Sequence, residues 1–231
     1  PRLALRGILI GALHGPLGGS YLSNQAPRTY APKPAYAVRF WRSRNLRPPQ
    51  ADVLGIIAKR AWRYYGTPFP SLGKAKLGDS RDEETLLGEG PFHWILTSPP
   101  YYGMRTYVPD QWLRYWLLGG PDRVEYAYRG QLRHSSPEAF AQDLAKVWNN
   151  VAGVSVDGAH MMIRFGGLPS SGGDPLSLLL RSLSASPWKV IAVKRVPPPR
   201  EGRRLAESFL REGKGKSSPM VQEYDLTCRK A

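Results

Sequence analysis

Residues 97 to 102, Thr-Ser-Pro-Pro-Tyr-Tyr, gather groups that could act on a nucleobase amine. Such an exocyclic amine is a poor nucleophile, because its lone pair is delocalised into the ring. Acceptors placed around it, here the Ser98 hydroxyl and the Pro99 carbonyl, could orient its N–H bonds and favour attack on an electrophilic methyl group. The ring of Tyr101 could hold the base by stacking, worth about 1–3 kcal/mol per base. Pro99 and Pro100 fix the acceptors in advance, so little ordering is left for the moment of reaction. Four residues alone fit a stiff surface turn or a proline-rich ligand segment equally well. The apolar run ahead of them favours a site.

That run is Trp94-Ile95-Leu96, and it predicts a short strand buried on both faces. Neither proline can donate to a ladder, and each biases the residue before it away from helix, so the strand must end there. The result is a rigid corner at a strand's carboxyl end. In open α/β sheets that is the edge where ligands bind.

Thr-Ser-Pro-Pro-Tyr after an apolar strand resembles the catalytic motif of the DNA amino-methyltransferases, which methylate cytosine N4 or adenine N6 with S-adenosylmethionine. Lys76-Leu-Gly-Asp-Ser80 upstream and the strand-like segments downstream extend the resemblance over roughly residues 70 to 231. It implies an α/β fold with an open, doubly wound, Rossmann-like sheet, and S-adenosylmethionine as cofactor. DNA is the implied partner, and a cognate restriction endonuclease could be another. Ser98, Pro99, Pro100 and Tyr101 take the catalytic positions. The Ser-Pro-Pro-Tyr form is commoner in the cytosine-N4 branch, and Asp-Pro-Pro-Tyr in the adenine branch. Methylation of RNA or of a protein amide, and a non-catalytic DNA-binding remnant, stay open beside that reading.

In this family an acidic residue after the third sheet strand lies near the cofactor adenine, which makes Asp79 a cofactor candidate, with Thr97 at the head of the motif as the second. Asp79 or Ser80 capping the next segment is an equal alternative. The family's Gly-rich cofactor loop has no counterpart here, since Phe165-Gly-Gly is followed by Leu-Pro. The resemblance therefore implies that the first sheet strands precede residue 1, and that the chain is a C-terminal part. Opening on Pro1 rather than Met fits a processed or partial chain.

A chain of 231 residues can bury one good core. We expect residues 1–69 to form a helical and irregular insertion and 70–231 the catalytic domain. Thirty-three Lys and Arg against eighteen Asp and Glu leave a net charge of +15, the electrostatic footprint of a nucleic-acid binder or of a merely soluble basic protein. A lone Cys228 excludes an intramolecular disulfide and a cysteine-rich zinc site, and fits a reducing, cytoplasmic setting. No apolar run approaches the ~18 residues of a membrane span, and no metal is implied.

Along the chain, residues 3 to 14 read as a helix, followed by a long irregular stretch from 17 to 34. Its Arg28 and Lys33 are candidate DNA contacts, as is Arg105 beyond the corner. Arg203 and Arg204 join them from a basic loop that could follow a phosphate backbone or be a solvated charge run. Helices are expected over 35–44, over 52–65 with Trp62 inward, and around Trp116 packed on the core. A short strand is expected at 74–77. Ser136-Pro137 opens a further helix carrying Phe140, Leu144, Val147 and Trp148 at core spacing. Strands follow at 158–165, 188–193 and 223–228, with a helix at 176–183. His160 reads as a packed strand residue.

Overall fold

The computed structural model describes scattered positions between 38 and 45, then residues 52–67, 73–104, 109, 116, 119–126, 130–167, 173–197 and 222–231. The helix expected at 3–14 and the loop at 17–34 lie outside them. Backbone contacts divide the chain into two compact units, 1–74 with 106–128, and 75–105 with 129–231.

In the first unit, helix α1 (Val53–Tyr65) starts on Asp52, whose carboxylate accepts the Gly55 N–H at 2.9 Å. Trp62 and Trp116 are exposed, contrary to the expectation that each packs inward. Trp62 lies back along its own helix end, over Gly66, rather than into a core.

Among its described residues the second unit holds a four-stranded sheet and two α-helices. Its elements are β1 (Phe92–Thr97), α2 (Pro137–Gly153), β2 (Ser155–Gly167), α3 (Pro175–Leu183), β3 (Trp188–Arg195) and β4 (Gln222–Lys230). The sheet order is β1-β2-β4-β3. β1 and β2 are parallel, and β4 runs antiparallel to both β2 and β3. The first three strands therefore share a direction, and β4 threads between two of them in reverse.

Period-two alternation along β2 turns Ala159, Met161, Ile163 and Phe165 to one face and His160, Met162 and Arg164 to the other. On the first face, Leu226 of β4 lies opposite Ile163, and Cys228 opposite Met161. Phe140, Leu144 and Trp148 of α2 and Leu179 and Leu183 of α3 close this core. Of the four α2 positions expected in the core, Phe140, Leu144 and Trp148 are buried and Val147 is half-buried against them. The Ser136 hydroxyl caps α2 by accepting the Ala139 N–H at 3.1 Å. Asp174 caps α3 in the same way, accepting from Leu176 and Ser177. The Trp148 indole donates to the buried Ser182 hydroxyl at 2.9 Å and fastens the two helices together. Burial in this core pushes the Cys228 thiol up to about 11.

The expectation of an open α/β sheet holds. A doubly wound sheet would carry helices on both faces, and among the described residues of this unit both helices share one core. The other face exposes Leu96 (73%) and Trp94 (59%), the latter stacked on His160 at 4.8 Å between ring centroids. This corrects the strand expected to be buried on both faces. Among the described residues β1 is a sheet edge, and of its apolar run only Ile95 packs against the core. Residues 74–77 form no strand, and Leu77 is fully exposed, because no neighbouring strand among the described residues pairs with them. His160 is the packed strand residue expected.

Leu226 and Leu96 sit on opposite faces of one sheet, and truncating them should separate the two surfaces. Leu226→Ala should cost about 2–5 kcal/mol in urea unfolding, whereas Leu96→Ala should stay within about 0.5 kcal/mol.

Candidate active site at the carboxyl edge of the sheet

Strand direction decides what meets at the corner. The carboxyl ends of β1 and β2 and the amino end of β4 share one edge, where Gly167 pairs with Gln222. Residues 98–104 turn off this edge, closed by a hydrogen bond from the Met104 N–H to the Tyr101 carbonyl at 3.1 Å. Ser98 is exposed, and among the described residues its hydroxyl has no partner. Pro99 and Pro100 are half-buried. The corner thus presents an uncommitted hydroxyl on a stiff support.

Tyr101 is held from three sides. Its hydroxyl donates to the Glu223 carboxylate of β4. Its ring meets Phe165 edge-on, with centroids 6.0 Å apart. Below it is Gly166, where an added Cβ would lie 3.0 Å from the Tyr101 Cζ and 2.9 Å from the Gln222 carbonyl oxygen. The glycine is thus required by the close approach of ring and backbone. Tyr102 points elsewhere, into an aromatic group with His134 and Phe140. His134 Nδ1 accepts the Gly103 N–H at 3.0 Å, which fixes its tautomer in this arrangement and ties the corner to the segment before α2. Beside the corner Tyr102, Phe165, Gly166, Gly167, Pro137 and Pro175 border a cavity of about 160 Å³.

The Asp79 turn lies in the same unit. Asp79 accepts from the Arg81 backbone N–H at 3.0 Å and from its guanidinium Nε and Nη2. Nε also reaches the second oxygen at 3.1 Å, so each Asp79 oxygen takes two hydrogen bonds from Arg81 and the carboxylate's roughly four lone-pair sites are all engaged. The Arg81 hydrogen bonds hold its carboxyl below the usual carboxylate range. Arg81 also reaches the Gln131 carbonyl at 3.1 Å and Asp143 at 3.0 Å.

Asp143 is a buried charge on the inward side of α2. It accepts from Arg81, from the Arg133 backbone N–H at 2.9 Å and from the Arg133 guanidinium at 2.9 Å. Burial would raise its pKa, but the hydrogen bonds from Arg133 and Arg81 more than offset this and leave it lowered. Sequence reasoning missed Asp143, although the signal is present: a carboxylate between Phe140 and Leu144 falls in the buried register of the helix. It also missed Glu223 and His134. Thr97 is half-buried at the end of β1, paired with Ile163. The five expected DNA contacts, Arg28, Lys33, Arg105, Arg203 and Arg204, lie outside the described residues.

No protein-family model matches the chain, and no curated protein matches it. Among solved structures the chain is similar to a crystal structure of a Thermus thermophilus protein provisionally named a DNA modification methylase. The identity is 21% and the TM-score 0.37, over 66% of this chain and 50% of that one. The chain thus spans about half the length of that protein. At such values the likeness establishes neither fold nor activity.

Two outcomes follow from this geometry. Gly166→Ala should displace Tyr101 and the start of β4, at a cost of about 1–3 kcal/mol, read by unfolding and by the loss of the Tyr101 ring's native NMR shifts. Asp79 and Asp143 both have folded-state pKa values below 3.8, so the stability they contribute is present above that value and is lost as pH falls through the lower folded-state values. Unfolding free energy should therefore drop below about pH 4, and Asp143→Asn should flatten that drop.

Proposed function

We propose that this chain carries the catalytic corner of a methyltransferase acting on an exocyclic amine of a base in DNA, with cytosine N4 as the target. The observation that carries the reading is the placement of Ser98 to Tyr101 at the sheet's carboxyl edge, with the Ser98 hydroxyl uncommitted and Tyr101 locked by Glu223, Phe165 and Gly166. A base inside a duplex would have to be flipped out, at a cost of a few kcal/mol, to reach this edge. The Ser98 hydroxyl and Pro99 carbonyl would accept from the amine and aim its lone pair. Tyr101 would hold the ring. Its hydroxyl is spent on Glu223, so it serves as a platform and not as a proton donor.

S-adenosylmethionine would supply the electrophilic methyl group. The described residues fit it poorly: each oxygen of Asp79, the adenine candidate, already accepts two hydrogen bonds from Arg81, and Thr97 ends β1 paired with Ile163. They offer no Gly-rich turn for its methionine end. The net charge of +15 supports a polyanionic substrate, whose binding should weaken steeply with salt.

The test is methyl incorporation from labelled S-adenosylmethionine by this chain into DNA, RNA and protein offered in parallel. Transfer to DNA is expected, falling roughly 10- to 100-fold in Ser98→Ala and Tyr101→Ala. No transfer to DNA, or variants equal to the parent, would overturn the reading, and transfer to RNA or protein alone would reassign the substrate.

A further inference from the structure

We propose that Asp143 is a positioning residue that couples the Asp79 turn to the Ser98–Tyr101 corner, so that the two segments hold a fixed spacing. Describing them as two parts of one site rests on the function proposed above, whereas the coupling itself rests on geometry. From Asp143 one branch runs through Arg81 Nη1 at 3.0 Å, and the same guanidinium holds Asp79 through Nε at 3.0 Å. The other branch runs through Arg133, bound by both its backbone N–H and its side chain at 2.9 Å. The next residue, His134, accepts the Gly103 N–H at 3.0 Å and has its ring 6.0 Å from that of Tyr102. Arg81 also holds the Gln131 carbonyl, so residues 131–134 are gripped from both branches.

Three features distinguish this arrangement from an ordinary surface ion pair. The carboxylate is buried, with 3% of its side chain exposed, so water cannot substitute for a lost partner. Both oxygens are used, Oδ2 by Arg81 and the Arg133 N–H, and Oδ1 by the Arg133 side chain, which fixes direction as well as distance. The Arg81 guanidinium spans three acceptors, those of Asp79, Gln131 and Asp143. A lysine ammonium is a single point and cannot span them together.

Arg81→Lys therefore separates the coupling from bulk stability. It keeps the charge beside Asp143 but releases the Asp79 turn and Gln131, far along the chain from Gly103. Amide hydrogen exchange of the whole chain, read at Gly103 and at core Ile163, is the measurement. We expect Gly103 to lose protection about tenfold in Arg81→Lys and at least as much in Asp143→Asn, with Ile163 unchanged in Arg81→Lys. Unaltered exchange at Gly103 in Arg81→Lys, or a loss shared equally by Ile163, would overturn the coupling.

Titration with S-adenosylhomocysteine and methyl-transfer kinetics on the same variants form a second arm. A rise in dissociation constant together with a fall in kcat is expected, because both segments move. If the parent chain neither binds nor transfers, the functional reading fails while the exchange result still decides the coupling. Binding and kcat unaltered in both variants would overturn the positioning role.

Discussion

The reversal of β4 between β2 and β3 is the constraint on which the candidate site depends. Three strands run in one direction and would end together at one edge with only their own carboxyl termini. A reversed strand inserted among them delivers an amino terminus to that edge, and with it Glu223, 122 residues from Tyr101 in sequence. The tyrosine is thereby tied to β4, and Gly166 of the intervening strand lets its ring lie close enough for the contact. Edge geometry, glycine and carboxylate act as one device. Its effect is to hold in place a ring that would otherwise swing from a proline turn.

A second, electrostatic layer lies behind this edge. Asp143 is the kind of group that a hydrophobic core tolerates only with its hydrogen bonds completed, and two arginines complete them. The elements that carry these groups are positioned by conventional means: a serine cap and proline for α2, an aspartate cap and proline for α3, and a tryptophan–serine hydrogen bond between them. Packing thus places the helices, and the charges fix the loops that run from helices to sheet edge.

The elements legible in the sequence are those with a local signature. Phe140, Leu144, Val147 and Trp148 announce α2 by spacing, and Ser136-Pro137 announces its start. The corner can be placed at a strand's end because two prolines cannot continue a ladder. What the sequence hides depends on neighbours. Trp94-Ile-Leu looks the same at a sheet's centre and at its edge, since a run of three apolar residues does not report how many faces are covered. Trp62 reads as inward from its helical spacing, and apolar residues are also common on surfaces. Glu223 is invisible because its role comes from a pairing between distant segments. Asp143 is readable in principle, as a charge in the wrong register of an amphipathic helix.

Cys228 lies at the middle of the β4 ladder, opposite Met161 and Val190, with its thiol pushed well away from the thiolate that oxidants and alkylating agents attack. It is the only cysteine in the chain. Reagents can reach this sulfur only when the central strands open.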